Sequence, residues 1–356
     1  MKKVGILTLT GNDNFGNKLQ NFAVVKYLKK MNVNPETIWV TNPFKDSNIK
    51  QLLRFFKAKI VNHINRRNNK FLKFNKNLNF KKTIIFNNDI VRIQKNYDLL
   101  IVGSDQVWNP NFFDNELIYF LSKSKKDKNI SFSASFGIDS ISDELVKKYK
   151  IGLDNFNYIS VREEKGKEII ERITGRKDAT VLVDPTMLLN KEEWDNVSRK
   201  PKQLKKLDNK KYILNYFLGN LSDKKRAEIE RIANENDCKI INILNKKDPF
   251  YSCGPSEFLY LEKNAFLICT DSFHSSVFAF LYNKPFIIFD RDDNNEKMNS
   301  RLDTLINKFG LKNRRYNGKN ITKENLEHDY SEAYKILEEE REKSKLFLEK
   351  ALDIKK

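Results

Sequence analysis

Of the three histidines in the chain, His274 stands where an ionisable ring can do work. The run Leu267-Ile268-Cys269-Thr270-Asp271-Ser272-Phe273-His274-Ser275-Ser276 carries an apolar strand pattern straight into hydroxyls and then into a helical pattern. An imidazole gains or loses a proton near neutral pH, and Ser272, Ser275 and the helix N–H groups suit a phosphate. A histidine that only caps the helix is the alternative. Beyond the next apolar run, Lys297 and Arg301 supply cations at a loop and helix start, or simply a solvated surface.

A second cluster lies far upstream. In Gly103-Ser104-Asp105-Gln106-Val107-Trp108-Asn109 an apolar run stops at hydroxyl, carboxylate, amide and indole groups. Saccharide sites have this composition, because sugar hydroxyls take Asp, Gln and Asn partners while a flat aromatic covers the C–H face. An ordinary strand-to-loop turn capped by Asp105 is the other reading. Ser133 and Ser135 follow the next short strand, and Arg162 ends another immediately before a helix. Its planar fork fits a carboxylate or phosphate, or an ion pair with Glu163 or Asp184. Near the N-terminus, Asn14, Asn17 and Gln20 border a small-residue loop between strand and helix. That loop is either an anion site or a capped turn, and it is neither GxxxxGK[ST] nor GxGxxG.

What must position these residues is a series of short apolar strands separated by charged helices. Strand patterns fall at residues 4–8, 99–102, 130–134, 158–161, 180–183, 212–217, 239–243, 266–269 and 285–289; helical ones at 19–30, 143–155, 163–174, 224–236, 276–281 and 299–309. Short apolar runs without alternation suit parallel strands covered on both faces, which makes the chain α/β. The polar, proline-containing stretch at 185–210 predicts a domain boundary, giving a domain at 1–190, a second at 205–320 and a C-terminal helix at 330–356. Ligands of open α/β sheets bind beyond the carboxyl ends of the strands, where all the polar clusters above fall.

The chain has 356 residues, a net charge of +19 and 40% hydrophobic residues, enough apolar material for two cores. No run reaches the roughly 18 apolar residues of a spanning helix. The opening residues read as a strand and not as a signal peptide, and three cysteines without CxxC spacing support neither a disulfide framework nor a metal site. A cytoplasmic protein is expected. More than half of the charge sits in one place: residues 45–82 hold twelve Lys or Arg against one acidic residue, +11 of the +19. Ile49, Leu52, Leu53, Phe56 and Ile60 recur there at helical spacing, followed by Phe71, Phe74 and Phe80. Such a basic amphipathic insert either lies on an anionic membrane surface or packs on its own domain with its lysines solvated. Nucleic acid is not the expected partner, because the ordered blocks around Arg162 and His274 would then have no purpose.

Taken in order, Asn14-Phe15-Gly16-Asn17 with Leu19-Gln20, the Gly103–Asn109 block, Ser133-Ala134-Ser135-Phe136-Gly137, Ser160-Val161-Arg162-Glu163, Val183-Asp184-Pro185-Thr186, Thr270-Asp271-Ser272-Phe273-His274 and Asn299-Ser300-Arg301-Leu302 resemble the polysaccharide pyruvyl transferase family. The resemblance implies a glycosyltransferase-B-like fold, two Rossmann-like domains facing across a cleft. It also implies transfer of the pyruvyl group of phosphoenolpyruvate, as donor substrate and without a cofactor, to hydroxyls of a capsule, exopolysaccharide or cell-wall sugar such as galactose, mannose or N-acetylmannosamine. The acceptor is expected to be lipid-linked in some cases, which fits docking at the inner membrane face. On this resemblance His274 is the general acid or phosphate contact, Arg162 holds the donor's carboxylate or phosphate, Asp105 is the base beside Gln106, and Trp108 stacks on the sugar. In another branch of the family an Arg stands two residues before the histidine, where this chain has Ser272; Lys297 or Arg301 would replace its charge. The rival enzyme on the same fold is a glycosyltransferase using a nucleotide sugar.

Overall fold

The computed structural model describes residues 1–38, 66–81, 90–111, 117–292 and 300–354. The described chain divides into two compact units, 1–188 with 340–356, and 189–339. The division falls at Leu188/Leu189, so the polar stretch after it belongs to the second unit, and the C-terminal helix is shared between both.

In the first unit the strands are β1 (Lys3–Leu7), β2 (Asn34–Ile38), β3 (Phe80–Lys81), β4 (Leu99–Val102), β5 (Asn129–Ser131), β6 (Ser160–Val161) and β7 (Thr180–Val181). β1 to β5 form one sheet in the order β3-β2-β1-β4-β5, every pairing parallel. β6 pairs with β7, and the bridges Ile130↔Tyr158 and Ala134↔Val161 continue the sheet from β5 towards β6. The helices are α1 (Phe15–Lys30), α2 (Arg66–Phe74), α3 (Ile90–Ile93), α4 (Asp143–Leu153) and α5 (Glu164–Thr174). α1 starts four residues earlier than its apolar pattern predicts because the Asn14 side chain accepts a hydrogen bond from Asn17 N at 3.2 Å, an N-cap.

The second unit holds α6 (Lys191–Asp195), β8 (Tyr212–Tyr216), α7 (Asp223–Glu235), β9 (Lys239–Asn242), α8 (Pro255–Asn264), β10 (Leu267–Thr270), α9 (Phe273–Leu281), β11 (Phe286–Ile288), α10 (Ser300–Lys308) and α11 (Lys323–Leu326). Its sheet is parallel in the order β11-β10-β8-β9. The last helix, α12 (Ser331–Ala351), starts in this unit, where Tyr334 Oη donates to Phe280 O at 2.8 Å. Its far end serves the first unit, where Arg341 Nε donates to Met187 O at 2.7 Å and Tyr158 meets Phe347 edge-on.

Each sheet therefore has one point at which the strand order reverses: between β1 and β4 in the first unit, and between β8 and β10 in the second. At such points the connections leave on opposite faces and a crevice opens at the carboxyl edge. The clusters around Asp105 and His274 sit at these two edges.

Candidate functional site

At the first crevice the polar residues are turned largely towards one another. Gly103 has φ 109°, and a Cβ there would meet Phe132 O at 2.5 Å, so only glycine lets the chain leave β4 as it does. Ser104 Oγ donates to Ser133 O at 2.9 Å and to Asp184 Oδ2 at 3.1 Å. Arg162, buried completely, donates from Nη1 to Asp184 Oδ2 at 2.6 Å and from Nη2 to Asp105 Oδ1 at 3.1 Å. Burial alone would lower the guanidinium pKa, but Asp184, Asp105 and Glu163 outweigh it and the net direction is upward. Asp105 also accepts from Gln106 N at 2.9 Å. Ser133 Oγ donates to Val183 O, and Ser135 Oγ to Glu163 Oε1 at 2.9 Å, an oxygen that takes Phe136 N and Gly137 N as well. Gln106 Oε1 accepts from Asn109 Nδ2.

Several sequence expectations are corrected by this network. Trp108 is 1% exposed, its Nε1 donates to Tyr119 O at 3.0 Å, and its ring stacks on Phe120 at an interplanar angle of 3°. It is a core residue with no face for a sugar. Ser104, Ser133 and Ser135 are fully buried and engaged by protein groups, so they hold loops and not hydroxyls of a substrate. Arg162 takes the ion-pair alternative, with Asp184 and also Asp105. Asp105 is held in that pair through Oδ1. Asn14 is the α1 cap, and Gln20 Nε2 donates to Thr8 Oγ1 at 2.8 Å and to Asn17 O. Thr8 Oγ1 donates in turn to Ser104 O, tying the β1 and β4 loops together.

Sequence reading passed over Lys18. It is 1% exposed on α1, its Nζ donates to Thr10 O at 2.9 Å, and burial lowers its pKa to about 7 against a smaller opposing effect of Asp13. The available signal was a single lysine inside an otherwise apolar or amide-bearing helix face.

At the second crevice Ser272 is the N-cap residue of α9, which places His274 in the first turn and not ahead of the helix. Thr270 Oγ1 accepts from Ser272 N and donates to Tyr216 O, while Ser276 Oγ donates back to Ser272 O. His274 is 6% exposed and meets the Phe273 ring edge-on at 5.3 Å. The first turn of α9 has no acidic residue, so its N–H groups and the positive end of the helix dipole favour an anion. Asp271 accepts from Leu218 N and Gly219 N, each at 2.7 Å, and from Arg291 Nε at 2.9 Å. Arg291 was not among the expected cations; Lys297 lies outside the described residues, and Arg301 sits half-buried on α10. Ser275 is a further correction: its Oγ donates to Glu262 Oε1 at 2.6 Å, inside the unit. Glu262 is wholly buried, and burial pushes its carboxyl well above the ordinary range.

The insert expected over 45–82 is described only from Arg66. There Phe71 and Phe74 are buried, Phe71 stacks on Phe15 at 5.2 Å, and Arg67 lies over both rings and donates to Asp13 O. This part packs on its own domain; residues 45–65 lie outside the described residues. No described helix is long and apolar enough to cross a membrane, and among the described residues no three His, Cys, Asp or Glu converge as metal ligands.

Two Rossmann-like units of this kind define an α/β protein of the glycosyltransferase-B type. Solved structures share that fold at low identity. The UDP-GlcNAc 2-epimerase of Neisseria meningitidis, bound to UDP-GlcNAc, is 13% identical with TM-score 0.50, covering 98% of this chain and 94% of its own. The UDP-GlcNAc 2-epimerase of Methanocaldococcus jannaschii is 17% identical with TM-score 0.51, covering 94% and 98%. No curated protein matches the sequence. Residues 14–293 match the polysaccharide pyruvyl transferase family model, and the chain belongs to that family of transferases.

Proposed function

We propose that this protein transfers the pyruvyl group of phosphoenolpyruvate to saccharide hydroxyls and releases phosphate. The observation that carries the reading is family membership across residues 14–293, a span that includes His274 in the first turn of α9. Phosphoenolpyruvate brings a phosphate and a carboxylate. The positive end of the α9 dipole and the Nη groups of Arg291, whose Nε is held by Asp271, suit both anions.

His274 is the general acid. Its proton goes to the methylene carbon, the double bond supplies the electron pair, and C2 becomes electrophilic. One sugar hydroxyl adds at C2 and gives its proton to a base. The second hydroxyl forms the other C2–O bond and passes its proton to the His274 imidazole, which restores the acid, as the bond from C2 to the phosphate oxygen breaks with its electron pair going to the phosphate; this closes the ketal and frees inorganic phosphate. The capsule or cell-wall origin of the acceptor, and its attachment to a lipid, are part of this proposal and are supported by the family resemblance alone. Membrane contact, if the acceptor is lipid-linked, falls within the described part of the insert to exposed Arg66, Leu72, Lys73 and Lys76, since Arg67, Phe71 and Phe74 are turned inward.

The test is phosphate release from phosphoenolpyruvate with methyl galactoside, methyl mannoside and N-acetylmannosamine as acceptors. Release dependent on one of them is expected, with kcat lowered about 10² to 10⁴-fold in His274→Ala at unchanged melting temperature. Turnover of a UDP-sugar with phosphoenolpyruvate untouched would move the chain to the nucleotide-sugar alternative.

A further inference from the structure

With the serines and Trp108 of the first unit occupied by protein partners, the acceptor needs amides and an aromatic elsewhere. The second unit has them. At the carboxyl ends of β8 and β9 lies a cavity of about 410 Å³, within the roughly 300–1,000 Å³ typical of small-molecule sites. Its floor is Asn215, 8% exposed, whose Nδ2 donates to Asn242 Oδ1 at 3.0 Å while its Oδ1 is buried with no hydrogen-bond partner. A buried acceptor left unmatched is unfavourable, and a ligand donor in the cavity would satisfy it.

The lining selects the ligand. Exposed Asn220 and Asn245 add two more amides at the rim, and half-buried Phe217, braced edge-on against Phe289 at 5.7 Å, supplies an aromatic wall. The charged lining residues are Arg226 and Glu230, opposite in sign and one turn apart on α7, so the cavity is neutral in a chain of net charge +19. A phosphate would call for surplus cations. A hydroxyl both donates and accepts, so it answers the Asn215–Asn242 pair in either amide orientation. A neutral, hydroxyl-rich ring with an apolar C–H face meets every one of these features.

The cavity also adjoins the histidine turn. Gly219 forms part of its wall, and Gly219 N donates to Asp271, the residue that leads from β10 into Ser272, Phe273 and His274.

We infer that this cavity is a saccharide subsite that holds a sugar unit of the acceptor, an inference resting on the pyruvyl-transfer reading above. The experiment is saturation-transfer-difference NMR on the full chain with methyl galactoside, methyl mannoside and N-acetylmannosamine as probes. It compares wild type with Asn215→Leu, Phe217→Ala and Asn245→Trp. The last change blocks the mouth from an exposed rim position and leaves the floor intact. At least one probe is expected to give signal with wild type and to lose it fivefold or more in each variant, with its KM in phosphate release raised about tenfold and that of phosphoenolpyruvate unchanged. Signal that persists in all three variants, or absence of signal with wild type, overturns the subsite. Signal lost as expected, while no variant or wild type consumes phosphoenolpyruvate, keeps the subsite and overturns the transfer reading instead.

Discussion

Replacing Lys18 by Met should stabilise the protein at neutral pH and lose that advantage as the solution becomes alkaline. Lys18 is buried on α1 with its ammonium against Thr10 O, 5.7 Å from the Phe80 ring centroid, and burial brings its pKa from 10.5 to about 7. An unfolded lysine keeps its proton up to pH 10.5, whereas the folded one releases it above about 7. Between those values the unfolded state binds more protons, so wild-type stability rises with pH. At 1.36 kcal/mol per tenfold, the gap corresponds to about 5 kcal/mol of destabilisation at low pH and about 4 kcal/mol at pH 7. Methionine removes this penalty and forfeits one hydrogen bond worth about 1 kcal/mol. The net expectation is roughly 3 kcal/mol of added stability at pH 7, vanishing by about pH 10. Urea unfolding followed by circular dichroism at pH 6.5, 7.5, 8.5 and 9.5 measures it. A Met variant with the same stability increment at every pH, or one less stable at pH 7, refutes the reasoning, because the ammonium would then be solvated. A buried group kept at such expense beside a crevice loop is also a place where stability and activity trade off, so the stabilised variant should be assayed for turnover.

Arg162→Met leaves the Asp105 and Asp184 carboxylates without their cation and should lower stability by about 3–5 kcal/mol in urea unfolding; Arg162→Lys rescues little, since one ammonium does not span both carboxylates. Trp108→Ala should cost about 3–5 kcal/mol through the cavity it opens among Phe120, Phe136 and Phe156, while the acceptor KM of the folded fraction stays unchanged. Glu262 holds in the folded state a proton that the unfolded chain sheds above its ordinary pKa of 4.5, so wild-type stability falls as pH rises past that value. Glu262→Gln should therefore show little gain at pH 4.5 and a clear gain in melting temperature at pH 8.

The fold was readable because parallel strands are buried on both faces and leave apolar runs that polar helices interrupt. Runs that break this pattern were not readable: β2, Asn-Pro-Glu-Thr-Ile, is a strand because Lys3 to Leu7 pair with it, not because its residues favour one. α8 did carry a signal that was missed, Pro255 at its first position and Glu257 Oε2 accepting from Gly254 N. At the candidate site, the position of His274 between a strand and a helix was legible, within one turn. The serines, Trp108 and Arg162 were legible as a cluster but not as to partner. Hydroxyl, amide and carboxylate groups that bind one another have the same composition as those that bind a sugar, and only burial separates the two cases.

That separation changes what the first unit's motifs do. Asp105 follows β4, Arg162 follows β6 and Asp184 follows β7, so one guanidinium joins loops from three strands, and Ser104, Ser133 and Thr8 extend the lock to β5 and β1. Buried ion pairs of this sort seldom add net stability over well-packed apolar groups, but they fix geometry because each oxygen accepts only from certain directions. The carboxyl edge of the first sheet is thereby held rigid from inside. Less buried side chains at that edge come instead from the loop after β1, where Asp13 is exposed, Asn12 and Asn14 are half-buried, and Arg67 and Lys18 donate to the carbonyls of Asp13 and Thr10. The motif residues of this unit therefore bind one another, and the bond from Thr8 Oγ1 to Ser104 O carries the geometry of that lock to the loop that follows β1.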